Sequence, residues 1–291
     1  MNEMSHMQPT NLCRQFADIL DAAPSVINGV CTATKSRTNL HPFVLGRRAE
    51  SFMFVPQAFS FEDVNSEGRA LCLGETVILQ NEINPFISRL RANGIIVTAL
   101  HNHWLFDDPR LMYIHFESID EPLSFARKVR DALEVLTTRN LGGVQNVRVR
   151  VPRQAEGLCE EFHRILGGMH TFENGVCMVM RSRTNIKARI LGRRTRSFLA
   201  IPQMFTFESL TRDGRALCSG ETVILEDEIN PFIDRLREHN IIVTAFHNHW
   251  LFDNPRLMYI HFEKIDNPVS FALDVQDALQ VLTNDEVRPS R

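Results

Sequence analysis

Residues 69–117 return as residues 215–263 at an offset of 146, without a gap and with 40 of 49 positions identical. A period of 146 in a chain of 291 residues predicts two similar domains, because it is close to the size one domain prefers. The boundaries read as 1–140 for the first domain, 141–152 for a linker around Gly142-Gly143, and 153–291 for the second. Outside the repeated segment the copies share mainly their apolar pattern. Both Trp, both Tyr and six of the eleven His, at matched positions, lie inside it. The chemistry is therefore sought there.

Each copy opens with an amphipathic helix. Leu12, Cys13, Phe16, Ile19 and Leu20, like Leu158, Cys159, Phe162, Ile165 and Leu166, recur three and four apart. Asn28-Gly29 and Asn174-Gly175 predict tight turns. The runs 30–34, 43–45, 51–61 and 69–79 read as antiparallel strands, with Pro56 at a bulge or an edge because proline donates nothing to a ladder. Asn81 and Asp227 are the expected caps of a short helix with Ile83, Phe86, Ile87 and Leu90 on one face, ended by Gly94 in the first copy. A β-branched run then leads into the histidines, Asp107-Asp108-Pro109 turns the chain, and 111–116 runs back as the second arm of a hairpin. Asp120 and Asp266 are the expected caps of the last helix. The pattern is α+β: two homologous domains, each an antiparallel sheet with a His-bearing hairpin and about three helices.

A net charge of -3 and a pI near 6.4 supply no field for holding nucleic acid. No 18-residue apolar run predicts a membrane helix, and the polar start lacks the pattern of an export signal, so the expectation is a cytoplasmic protein without a membrane partner. The six Cys are three duplicated positions, Cys13/Cys159, Cys31/Cys177 and Cys72/Cys218, in apolar surroundings, and are expected to be reduced, buried thiols. Arg148, Arg150 and Arg153 form a small basic cluster read as solvated surface, and Arg47-Arg48 and Arg193-Arg194 read as solvated turns. Dinucleotide, nucleotide and serine-hydrolase motifs are absent, and the contiguous His-Asn-His is not the dispersed motif of HNH nucleases.

Side chains two apart on a strand share a face, so His101 and His103 point the same way, as do His247 and His249. With the turn centred on residue 108, His115 would lie opposite His101, Tyr113 opposite His103 and Glu117 opposite Ala99. Each half then carries three imidazoles on one face, His101, His103 and His115 or His247, His249 and His261. Opposed Cβ atoms about 4.5 to 5.5 Å apart let imidazoles converge on one ion. Zinc or another divalent transition metal fits such a donor set, and three protein ligands with one open position is a catalytic arrangement. Glu75/Glu221 and Glu117/Glu263 are candidate further ligands or bases for a metal-bound water. Arg110/Arg256 are candidates for holding an anionic substrate or for pairing with Asp107/Asp253. Tyr113/Tyr259 and Asn102/Asn248 complete the candidate ligand-binding residues. Glu82/Glu228 with Asn84/Asn230 read as a helix start.

The run around Asn-Pro-Phe, then Ile-Val-Thr-Ala-Leu-His-Asn-His and Pro-Arg-Leu-Met-Tyr-Ile-His-Phe, resembles the bacterial LppY/LpqO-type family of proteins of unknown function. The matching positions are Glu82, Asn84, Pro85, His101, Asn102, His103, Arg110 and His115, and in the second copy Glu228, Asn230, Pro231, His247, Asn248, His249, Arg256 and His261. The resemblance implies the domain pattern and no settled activity. Some relatives are envelope lipoproteins, whose signal and lipobox this sequence lacks.

Three readings stand together at this point. One is a metal site in each half, with a metal-dependent hydrolase as its enzymatic form. Another is a non-catalytic module in which His, Tyr and Arg recognise a small anionic ligand or a partner protein. The third is an intrachain pseudo-dimer whose hairpins pack across an approximate two-fold.

Overall fold

The computed structural model describes residues 8–142 and 154–290. Most of the expected linker, with Arg148, Arg150 and Arg153, lies outside the described residues, while Leu141–Gly142 pairs in parallel with Leu40–His41. Each half is an antiparallel sheet with three helices on one face. In the first half, α1 (Asn11–Leu20), α2 (Ile83–Ala92) and α3 (Pro122–Leu133) accompany β1 (Ala23–Ile27), β2 (Val30–Ser36), β3 (Pro56–Glu62), β4 (Ala70–Leu79), β5 (Ile96–His101) and β6 (Leu111–Asp120). The second half repeats them as α4 (Ala155–Leu166), α5 (Ile229–Glu238) and α6 (Pro268–Ala278), with β7 (Met169–Glu173), β8 (Val176–Ser182), β9 (Pro202–Glu208), β10 (Ala216–Ile224), β11 (Ile242–His247) and β12 (Met258–Asp266). The sheet orders are β1-β2-β3-β4-β6-β5 and β7-β8-β9-β10-β12-β11, so the last two strands of each half swap their sequential places.

Period-two alternation sorts each sheet into two buried faces. Cys31, Ala33, Phe59, Phe61, Cys72, Ile114 and Phe116 pack beneath the apolar faces of the three helices. Phe116 is paired with Gly74, where a Cβ would stand 2.2 Å from its ring, so the ring needs the missing side chain. The opposite face meets the other half: Val77 and Tyr113 share a core with Phe198, Met204 and Leu217, and Leu71 and Leu73 share one with Leu199, Ile201 and Val223. The layers thus run helices, sheet, sheet, helices.

Local chemistry accounts for the joints, and several differ from the sequence expectation. Asn28-Gly29 takes φ of 55° and 77° and joins Ile27 to Val30 as a two-residue hairpin, as expected. Pro56 opens β3 instead of interrupting it, and residues 51–55 form a turn closed by the Phe54 and Val55 N–H groups on the Ser51 carbonyl. The expected cap Asn81 falls in a 3-10 turn, Gln80–Glu82, that precedes α2. The caps of α3 and α6 are Glu121 and Asn267, one residue later than Asp120 and Asp266, each accepting two backbone N–H bonds.

Four of the six cysteines overturn the reduced-thiol expectation. Cys13 is bonded to Cys31 and Cys159 to Cys177, with Cα atoms 5.6 and 5.5 Å apart. The buried side of the first helix lies on the second strand and brings the pair within disulfide reach, a proximity that a separation of 18 residues does not announce. Cys72 and Cys218 are buried free thiols. Arg47-Arg48 and Arg193-Arg194 are short strands paired at the join of the halves, where Arg47 donates to the Ser209 carbonyl and Arg193 to that of Asp63.

Candidate metal centre

Tyr113, His115 and Glu117 alternate along β6 on the inner face, with His115 opposite Glu75 of β4 on one side and Ala99 of β5 on the other. His101 faces Tyr113, so the register is two residues from the expected one, which set His101 against His115. A two-residue slip preserves the face, which is why the histidines still gather. The slip arises because residues 102–110 form a loop, in which Asp107–Asp108 pairs with Phe43–Val44, in place of a tight turn on residue 108. His103 lies in that loop, beyond the strand. A bulge leaves Thr98 out of the β5–β6 ladder, and its hydroxyl donates to the His249 carbonyl; Thr244 does the same to His103. The threonines were missed from sequence because a bulge has no periodic signature.

Six imidazoles meet at the join. The closest contacts among these six rings all cross between halves: His101 to His247 at 3.4 Å, His115 to His249 at 3.7 Å and His103 to His261 at 3.8 Å between centroids. Within one half the rings are 4.9 to 6.1 Å apart. The expectation of three rings converging inside each half is therefore replaced by one shared cluster. Donor atoms of His101, His103, His247 and His249 lie within 4.8 Å of one another, as do those of Glu75, His103 and His115, and of Glu221, His249 and His261. His103 is stacked on the Tyr113 ring at 3.6 Å, nearly parallel to it, and His249 on Tyr259 at 3.6 Å.

Burial, and then the neighbouring imidazoles, hold the His103, His115, His249 and His261 rings well below the ordinary histidine range, and burial brings His247 down to about 3. The rings are thus neutral, as a metal ligand must be. Both ring nitrogens of His101, His115, His247 and His261, and the Nε2 atoms of His103 and His249, are buried without a hydrogen bond. Burial pushes Glu75, Glu117 and Glu263 up to about 8, and burial with the Glu75 charge raises Glu221. Neither oxygen of Glu117 or Glu263 has a fully formed hydrogen bond. Buried polar atoms in native proteins are nearly always paired, so such a concentration marks a place built for something else to bind.

Other expected site residues sit apart from the rings. Arg110 pairs with Asp107 at 2.9 Å and donates to the Trp104 carbonyl, and Arg256 pairs with Asp253 in the same way. Asn102 and Asn248 donate to the Trp104 and Trp250 carbonyls and pin the loop. The Tyr113 hydroxyl donates to Phe54 and the Tyr259 hydroxyl to Ala200, which leaves their rings as seats for histidines. Glu82, read as a helix start, is a buried hub: it takes both guanidinium nitrogens of Arg37 and the N–H groups of Leu79 and Thr137. Glu75 and Glu221 also border a cavity of about 500 Å³ between the halves.

The family described as Domain of Unknown Function (DUF1259) matches residues 14–135 and again residues 160–281. No curated protein matches the chain. Among solved structures, EtuB from Clostridium kluyveri is similar at 7% identity over 89% of this chain and 94% of that one, with a TM-score of 0.20. A trimeric bacterial microcompartment shell protein, PduB, is similar at 10% identity over 88% and 89%, also at 0.20.

Proposed function

The chain belongs to the DUF1259 family, carrying its domain of unknown function twice in tandem, and from that premise we propose that it binds a divalent transition metal, zinc first among them, at one centre made by both copies. We read the family as that of the LppY/LpqO-type proteins, on the shared hairpin motif. The observation that carries the metal reading is the set of buried ring nitrogens without partners on His101, His103, His115 and their repeats. Six neutral imidazoles flanked by two carboxyls are the donor chemistry of such an ion, and the two Glu-His-His sets, Glu75 with His103 and His115 and Glu221 with His249 and His261, give places for up to two ions.

A metal-dependent hydrolase is the enzymatic form of this reading. When bound, zinc supplies a Lewis acid and a water of lowered pKa. Glu75 and Glu221, opposite His115 and His261, would hold the ion in the Glu-His-His sets or take a proton from its water. Arg110 and Arg256, paired with Asp107 and Asp253, steady the histidine loop in this scheme, and their half-exposed side chains keep a face for a small anion. Paired cysteines in both halves favour an oxidising compartment over the expected cytoplasm. No helix among the described residues is long and apolar enough to cross a membrane.

The test is elemental analysis of protein purified without an affinity tag, beside the His101→Ala/His247→Ala variant. One to two ions per chain in the parent and fewer in the variant are expected. A metal-free parent that takes up no zinc sinks the reading.

A further inference from the structure

The cavity between the halves lies on the same rows of residues that end in the histidines. In the first half, Thr34 is opposite Ala58, Ala58 opposite Glu75, and Glu75 opposite His115. In the second, Met180 is opposite Met204, Met204 opposite Glu221, and Glu221 opposite His261. Directly opposed side chains touch, so each row is an unbroken path from cavity wall to ring. The cavity is lined by Thr34, Ala58, Met180 and Met204 and bounded by both glutamates.

One strip of its lining is matched in position and unlike in chemistry, whereas Phe52/Phe198 and Pro56/Pro202 are the same in both halves. Thr32, Thr34 and Ala58 on one side answer Met178, Met180 and Met204 on the other, at the repeat offset. The copies therefore agree at the glutamates, the histidines and part of the lining, and differ on the strip of threonine and alanine against methionine. A volume of about 500 Å³ with mostly apolar walls, both glutamates and a few further polar groups is that of a small-molecule site. Methionine suits a wall that adapts to an irregular apolar shape.

We propose that this cavity admits one ligand per chain, an uncharged and largely apolar organic molecule, its bulky part against the methionine wall and its single polar group at Glu75, Glu221 and the rings beyond. For what that polar group meets, the proposal rests on the metal-centre reading. The ligand is held asymmetrically although the floor is two-fold, because Met178, Met180 and Met204 stand on one side where Thr32, Thr34 and Ala58 stand on the other.

The test is a fluorescence titration of the full chain with N-phenyl-1-naphthylamine, a neutral apolar dye, run on zinc-loaded and chelator-treated protein. One saturable site per chain is expected. Thr34→Met/Ala58→Met, which copies the opposite wall into the small one, should weaken binding at least tenfold at unchanged metal content. Met180→Ala/Met204→Ala, which strips the methionine wall, should weaken it several-fold. No saturable binding, two equal sites per chain, or an affinity untouched by both variants overturns the proposal. Dye binding that responds to the variants in a parent that takes up no metal would leave the cavity assignment standing and remove the metal reading alone.

Discussion

Two buried polar clusters in each half are equally dry and differ in one respect. Around Glu82, every charged atom is answered: Arg37 reaches its carboxylate at 2.7 and 3.0 Å and the Val77 and Thr137 carbonyls besides, and the same bonds recur around Arg183 and Glu228. Around His101, His103 and His115, five ring nitrogens are buried without a formed hydrogen bond. A closed network is a structural joint, ending where its last hydrogen bond is made. An unclosed one of the same depth is stable only with something added, or at a cost carried by the rest of the fold. The difference is what favours the second cluster as the proposed site.

The comparison breaks most visibly with pH. In the metal-free chain the imidazoles titrate below their usual 6.5, while Glu75, Glu117 and Glu263 titrate near 8 instead of 4.5. Below 4.5 the unfolded chain binds more protons than the folded one, through its histidines, so stability falls as pH drops; above 6.5 the folded chain holds the extra protons, on its carboxyls, so stability falls as pH rises toward 8. Between the two the trends oppose. Chemical denaturation of chelator-treated protein should give its highest midpoint in that middle range, and a midpoint climbing steadily from pH 5 to 8 would contradict the buried neutral carboxyls.

Breaking the closed cluster comes next. Glu82→Ala leaves Arg37 charged, buried and unpaired, and should cost about 3–5 kcal/mol by denaturant titration, with or without metal. The open cluster should respond to the reverse operation: zinc at about a hundred times its dissociation constant should add about 2.7 kcal/mol to the chelator-treated chain, and His101→Ala/His247→Ala should abolish the gain. A zinc-induced gain of the same size in the double variant would place the ion elsewhere. Smallest is the pair of cross-half threonine bonds. Thr98→Val and Thr244→Val should each cost about 1 kcal/mol, a buried hydrogen bond lost apiece, while metal content stays the same.

Much of this was legible in the sequence. The repeat set two similar α+β halves, and alternation put His101 and His115 on a common face, which survives the observed slip because two residues change partners without changing sides, as one would not. The repeat raised the packing of one hairpin on the other, but the particular meeting of His115 with His249 was not legible: alternation tells which residues share a face and not which residue each one meets across the join. The buried role of Glu82 was hidden for a similar reason, since Arg37 lies 45 residues away. Cys13 and Cys31 looked like ordinary apolar positions, as their neighbours are, and only the packing of helix on strand pairs them. Thr98 stands inside a regular β-branched run that gives no hint of a bulge.

The methionine and threonine walls of the cavity have a consequence for how such a molecule can change. In a homodimer every substitution arrives in duplicate, so a pocket on the symmetry axis stays symmetric however long it evolves. Joining both copies in one polypeptide releases that pocket: Ala58 and Met204 are separate codons. One side can be recut to a ligand's outline while the paired rings beneath it remain under mutual restraint.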